Sequence, residues 1–139
     1  MNVHRSRHSI QFSVADLSVT QAFYAGILEL DVQRSFTTPG APEYLLVDMD
    51  GIAIIFVEEG DVIRAHPMLE QRLGMFPRGV GVTLHFDVKN IEAINDTILE
   101  EDLEILYPLE LKPYGIKEIW CFDPDGYLVV LNEPFRPKL

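Results

Sequence analysis

His85, Glu118 and Trp120 are the side chains in this sequence whose chemistry exceeds what packing needs. A histidine titrates near neutrality, so His85 can serve as a general base or as a hydrogen-bond donor to a ligand. A carboxylate such as Glu118 can hold a cationic or hydroxylated group, and the Trp120 indole can stack on a flat ring. His85 and Glu118 would make an acid–base pair if the fold brought them together, which their spacing alone does not require. The plain alternatives are a buried hydrogen-bonded histidine, a glutamate paired with lysine or arginine, and a tryptophan filling space between layers.

The elements that must position them read clearly. Ile116, Glu118, Trp120 and Phe122 alternate with Lys117, Ile119 and Cys121, the period of a strand, so Glu118 and Trp120 share a face. Asp123-Pro124-Asp125-Gly126 is a turn, and Tyr127 to Leu131 returns as a mostly buried strand. Cys121 alternates away from Trp120 toward a helix layer, which argues against a catalytic thiol. His85 lies in a strand from Val82 to Val88, with Leu84, Phe86 and Val88 on its back and Thr83 beside His85 on its front. Asn90 caps a following helix carrying Ile91, Ile94, Ile98 and Leu99, whose acidic end Glu100-Glu101-Asp102 is solvated; Ile105 to Leu111 is a further strand.

The first half shows the same succession. Ile10, Phe12 and Val14 form an apolar back, and Ser9, Gln11 and Ser13 a polar front. Asp16 or Ser18 caps a helix with Val19, Ala22, Phe23 and Ile27, extending to Leu30, as its buried stripe, weakened at Gly26. A strand at 32–36, a loop at 37–42, and strands at 43–48 and 52–58 joined through Asp50-Gly51 complete it. Glu58 and Glu133, at the ends of equivalent strands, read as solvated. Between the halves runs a connector, Gly60 to Gly79, with a short helix from His66 to Leu73. Its His66, Met68, Leu69, Met75 and Phe76 are expected to pack within the linker, with a lid or a dimer contact as alternatives.

The two halves superpose. At an offset of 74, Phe12-Ser13-Val14-Ala15-Asp16-Leu17 falls on Phe86-Asp87-Val88-Lys89-Asn90-Ile91. At an offset of 75, Asp48 to Glu58 falls on Asp123 to Glu133. The predicted fold is therefore α+β: tandem β-α-β-β-β modules forming a curved eight-stranded mixed sheet around a groove. The whole chain, 1–139, is expected to be a single domain, with modules at about 8–59 and 80–134 and a connector at about 60–79.

The remaining bounds are mostly exclusions. A formal charge of -11 argues against a nucleic-acid backbone or an anionic membrane as partner. No apolar run approaches the ~20 residues that span a bilayer, and Met1 to His8 has no signal-like apolar core. The single cysteine, Cys121, excludes an internal disulfide. Together these point to the cytoplasm. There is no phosphate-cradling glycine loop, no Gly-x-Ser-x-Gly nucleophile turn and no zinc-protease histidine pair.

Val14-Ala-Asp-Leu17 followed by Ala22-Phe-Tyr24 and Ile27-Leu28, with Tyr114-Gly115 followed by Phe122-Asp-Pro-Asp-Gly126, resembles the vicinal oxygen chelate superfamily over about residues 8 to 134. That group holds glyoxalase I, extradiol dioxygenases, fosfomycin-resistance transferases and metal-free bleomycin-binding proteins. The resemblance implies that the face carrying His85, Glu118 and Trp120 looks into the groove. It would place four metal ligands at Ser9, Ile55, Thr83 and Val130, none of which suits a divalent cation. His8 lies one residue before such a position, but a register slip would drive Ile10, Phe12 and Val14 to the polar face; His4 precedes it in the terminal segment. Metal binding by His8, His85 and Glu58 or Glu133 is a remote alternative.

The resemblance thus leads to a metal-independent binder of an aromatic or antibiotic-like small molecule, without a cofactor, with contacts from Ser9, Gln11, Ile55, Thr83, His85, Glu118, Trp120 and Val130. It also implies a homodimer. The alternatives are a glyoxalase-like lyase, isomerase or dioxygenase using a non-standard metal site or His85/Glu118 acid–base chemistry, and a structural dimer with no ligand.

Overall fold

Strand β1 (His8–Val14) and strand β4 (Ile52–Glu58) run parallel, and β4 pairs antiparallel with β3 (Tyr44–Met49), which pairs with β2 (Gln33–Ser35). The order is β1-β4-β3-β2. The second set repeats it: β5 (Thr83–Asp87) is parallel to β8 (Leu128–Pro134), which is followed by β7 (Ile116–Phe122) and β6 (Ile105–Leu111) in the order β5-β8-β7-β6. The computed structural model describes residues 8–134, so His4 lies outside the described residues. The eight strands divide into two hydrogen-bonded, mixed sheets of four, one per module, with helices between the strands. Contacts divide the chain in two: one unit runs to Phe76 apart from Ile27–Glu29, and the other holds Ile27–Glu29 and the chain from Pro77.

The alternation of apolar side chains puts one core behind each sheet. In the first unit Phe12, Val14, Leu45, Val47, Ile54 and Phe56 are buried with Leu17, Phe23 and Tyr24. The Tyr24 ring lies 4.7 Å from Phe56 and 4.9 Å from Phe23. Ile10, placed on the same face by its spacing, remains exposed. In the second unit Leu84, Phe86, Ile119, Cys121, Val129 and Leu131 are buried, as are Ile91, Ile94 and Ile98 of α4 (Ile91–Glu100). Leu99, expected in that stripe, is exposed.

The first helix departs from its expected phase. Asp16 is the cap, with its carboxylate accepting the Ser18 N–H at 2.8 Å and the Val19 N–H at 3.3 Å. Helix α1 (Leu17–Gln21) then widens into a π-helical turn at Ala22–Ile27. Counting from Leu17, the inward side is Leu17, Thr20, Phe23 and Tyr24, while Val19 and Ala22 face outward. A stripe read at uniform spacing from Val19 misses this because it assumes neither the cap at Asp16 nor the wider turn.

Glu58 and Glu133 are not merely solvated strand ends. Glu58 Oε1 accepts the Leu17 N–H at 3.1 Å, and Glu133 Oε1 accepts the Ile91 N–H at 2.9 Å. Each module thus ends by placing a carboxylate on the first turn of its own helix, where exposed N–H groups and the helix dipole favour negative charge. Asn90 occupies the cap position of α4 but makes no capping bond with its side chain. Glu133→Ala is therefore expected to cost about 1 kcal/mol, and Asn90→Ala clearly less. Urea denaturation of both variants checks the order, and a larger loss for Asn90→Ala would contradict it.

The connector contains more helix than its composition suggests. Helix α2 (Glu59–Ala65) follows β4 directly, with Glu59 and Asp61 in its first turn, Arg64 in its last, and an Asp61–Arg64 ion pair along it. Gly60 disguises it in sequence. A 3-10 turn (Pro67–Leu69) and α3 (Glu70–Leu73), followed by Gly74, match the expected short helix. The expected linker packing does not form: Met68, Met75 and Phe76 are largely exposed.

Candidate functional site

Strand register assembles the chemistry on the front of the second sheet. His85 and Trp120 both pair with Val130, from opposite sides, and Tyr107 pairs with Trp120. These four residues form one row across all four strands. The His85 and Trp120 rings meet edge to face at 6.4 Å, and Tyr107 and Trp120 at 5.4 Å, geometries that the ring quadrupoles favour. Val130 is fully buried, Trp120 half-buried and His85 exposed.

Glu118 fixes the indole. The Trp120 Nε1–H donates to Glu118 Oε1 at 2.6 Å, and the Tyr114 hydroxyl donates to Glu118 Oε2 at 3.3 Å. Desolvation, and then the Glu118 carboxylate, raise the Tyr114 phenol above its ordinary value, so it stays a protonated donor. Tyr114 reaches this position from the β6–β7 turn, where Gly115 adopts a positive φ of 82°. His85 and Glu118 do not form the acid–base pair considered from sequence. Glu118 lies one row further along, opposite Asn132 and Glu110, and turns its carboxylate to Trp120 and Tyr114.

Behind the site, the turn after β7 is rigidly tied. Buried Asp123 accepts the Asp125 N–H at 2.8 Å and the Tyr127 N–H at 2.9 Å. Pro77 to Gly79 packs against this turn. Arg78 approaches Asp125 at 3.9 Å, and Gly79 sits so close to the Tyr127 ring that a Cβ there would fall 2.5 Å from it. Burial, with a smaller effect from Asp123, pushes the Cys121 thiol up to about 12, so it remains protonated and unfit as a nucleophile.

The same row in the first module carries no aromatic ring: it reads Gln11, Ile55, Leu46 and Gln33. Ser9 and Gln11 are exposed there, and Ile55 is half-buried. Of the residues singled out in sequence, His85, Glu118, Trp120 and Val130 come together, with Thr83 one step along β5; Ser9, Gln11 and Ile55 belong to the first sheet. Tyr107 and Tyr114 were missed. Two register shifts in β6 hide the face of Tyr107, and Tyr114 lies in a turn with no strand period to place it.

The four positions at which the family resemblance puts a metal do not fit one. Ile55 and Val130 offer no donor atom, and Ser9 and Thr83 offer only hydroxyls. Glu58 and Glu133 are engaged with helix N–H groups. Among the described residues no group of three or more His, Cys, Asp or Glu side chains is placed to hold a metal ion. No described helix is long and apolar enough to cross a membrane.

Solved structures share this fold. A protein of unknown function from Agrobacterium tumefaciens str. C58 superposes with a TM-score of 0.67 at 21% identity, covering 91% of this chain and 92% of that one. A glyoxalase/bleomycin resistance protein/dioxygenase family enzyme from Burkholderia phytofirmans PsJN gives 0.67 at 16% identity, covering 94% and 99%. Lactoylglutathione lyase from Agrobacterium tumefaciens gives 0.55 at 15% identity, covering 91% of each chain. No curated protein matches the chain in sequence. The family model described as Glyoxalase/Bleomycin resistance protein/Dioxygenase superfamily matches residues 6–131. With that match spanning nearly all of the sequence, and the repeated β-α-β-β-β architecture beneath it, the chain belongs to the Glyoxalase/Bleomycin resistance protein/Dioxygenase superfamily.

Proposed function

We propose that the protein binds a flat, aromatic small molecule on the front of its second module without using a metal. The observation that carries this reading is the Trp120 row: an indole held by Glu118 and flanked edge-on by His85 and Tyr107. A rigid indole with a fixed N–H offers stacking area at low entropic cost, and the neighbouring carboxylate and imidazole supply polar contacts. Thr83, two residues from His85 on the same face of β5, is a further candidate contact; Ser9, Gln11 and Ile55 are candidates for the first module's own front face. We read the protein as cytoplasmic and as a homodimer, the latter checked by its mass in solution.

Trp120 is the only tryptophan, so its fluorescence reports this site alone. A panel of aromatic compounds is expected to contain members that change Trp120 emission saturably, while zinc, nickel, manganese and iron(II) leave the melting temperature unchanged. A saturating ligand at a hundredfold excess over its Kd stabilises by ~2.7 kcal/mol, enough to read as a melting shift. Stoichiometric metal in protein purified without a tag, or a clear metal-dependent shift, would overturn the metal-free reading. A second reading, a lyase, isomerase or dioxygenase using His85 or Glu118, draws on the imidazole standing exposed beside Trp120. It requires that His85→Ala abolish turnover of a bound compound while leaving its affinity intact.

A further inference from the structure

The front of the second sheet is graded along its strands. Thr83, Leu128 and Phe122 form one cross-strand row; His85, Val130, Trp120 and Tyr107 form the next; Asp87, Asn132, Glu118 and Glu110 form a third. Side chains two apart on a strand are separated by ~6.7 Å, so the outer rows lie ~13 Å from each other. The first row, together with Val80 and Val82 just before β5, lines a pocket of about 280 Å³. That volume falls at the lower limit of ligand cavities. It suits one ring or a short alkyl group, and the Trp120 row is the next along the strands for the rest of a larger compound. Arg78 also lines the pocket, but its guanidinium faces the Asp125 carboxylate, leaving the interior predominantly apolar.

The third row has the opposite character. Glu118 and Glu110 stand directly opposite each other on β7 and β6, a pairing of like charges that disfavours the sheet unless a cation lies close. Glu118 receives its bonds from neutral donors, Trp120 and Tyr114, and Lys112 reaches only Glu110, at 3.4 Å. The Trp120 and Tyr107 rings next to these carboxylates add faces that attract a cation.

Building on the binding reading above, we infer that this face takes a cationic arylalkyl compound in one orientation. Its apolar end enters the Phe122–Leu128 pocket, its body crosses Trp120, and its ammonium lies between Glu118 and Glu110. The graded face then selects by charge as well as by shape. A neutral analogue keeps the pocket and the indole but loses the charged end, and an anionic analogue meets two carboxylates.

Phenylbutylamine, phenylbutanol and phenylbutanoate share one skeleton and differ in that end. Titrated against Trp120 emission at low ionic strength, the amine is expected to bind about tenfold more tightly than the alcohol, the difference between a charged and a neutral hydrogen-bonded end, and the carboxylate most weakly. Added salt should narrow the gap. Glu110→Gln, an exposed position remote from the core, removes one of the two carboxylates and should cut the preference for the amine over the alcohol several-fold, with the remainder held by Glu118. Equal affinity for amine and alcohol, or a preference undiminished by Glu110→Gln, overturns the inference and leaves the aromatic site standing. Absence of binding by all three, confirmed by calorimetry, removes the inference; the aromatic site falls with it only if the wider aromatic panel is also silent.

Discussion

Asp123→Ala is expected to lower stability by about 3 kcal/mol and the melting temperature by about 10 °C. The carboxylate is buried and accepts two backbone N–H groups, from Asp125 and Tyr127, that have no route to water once it is gone. Hydrogen bonds to a charged acceptor are worth ~1.5–3 kcal/mol each, and buried donors left without a partner cost a comparable amount. Asp123→Asn keeps an acceptor oxygen in place and should cost about half as much. The repeat supplies an internal control. Asp48 occupies the equivalent position before the first module's turn but is exposed, so its surroundings already have access to water. Asp48→Ala should therefore cost less than ~1 kcal/mol. Denaturant titration of the three variants decides the point, and equal losses for Asp48→Ala and Asp123→Ala would show that burial of the second turn does not carry the effect.

Trp120→Ala is expected to weaken any ligand of the second module by about 30-fold or more, the scale at which buried aromatic anchors dominate binding. Because it removes the fluorophore, the comparison requires calorimetry. Trp120→Phe separates two contributions. It keeps an aromatic face between His85 and Tyr107 but cannot donate to Glu118, so it should lose only a few-fold in affinity through the released carboxylate. If Trp120→Ala binds as tightly as the parent protein, the indole is structural and the aromatic site is elsewhere.

Much of this is legible in the sequence. Alternation placed Glu118 with Trp120 and Thr83 with His85, and the offset of 74 to 75 residues specified the duplicated topology, because period and repetition are properties of sequence alone. What escaped depends on the third dimension. The bond from Trp120 to Glu118 needs rotamers, and Tyr107 needs a register broken twice in β6. The partners of Glu58 and Glu133 lie more than 40 residues away in the chain, beyond any local pattern. Helix α2 was hidden by a glycine whose cost is outweighed by the charges around it.

The order β1-β4-β3-β2 has a consequence for synthesis on the ribosome. Strand β1 is made before the rest of its module, yet among the described residues its one partner in the sheet is β4, the last strand of that module. The contact joining Leu17 to Glu58 likewise waits for the end of β4. Until then the apolar residues of β1 and the first helix have neither their ladder nor the Phe56 ring to pack against, so the sheet of this module cannot close before Glu58 clears the exit tunnel. The same arrangement delays β5 until β8 emerges. A nascent chain paused just short of Glu58 should be digested readily by protease, and one paused far enough beyond it for Glu58 to emerge should resist.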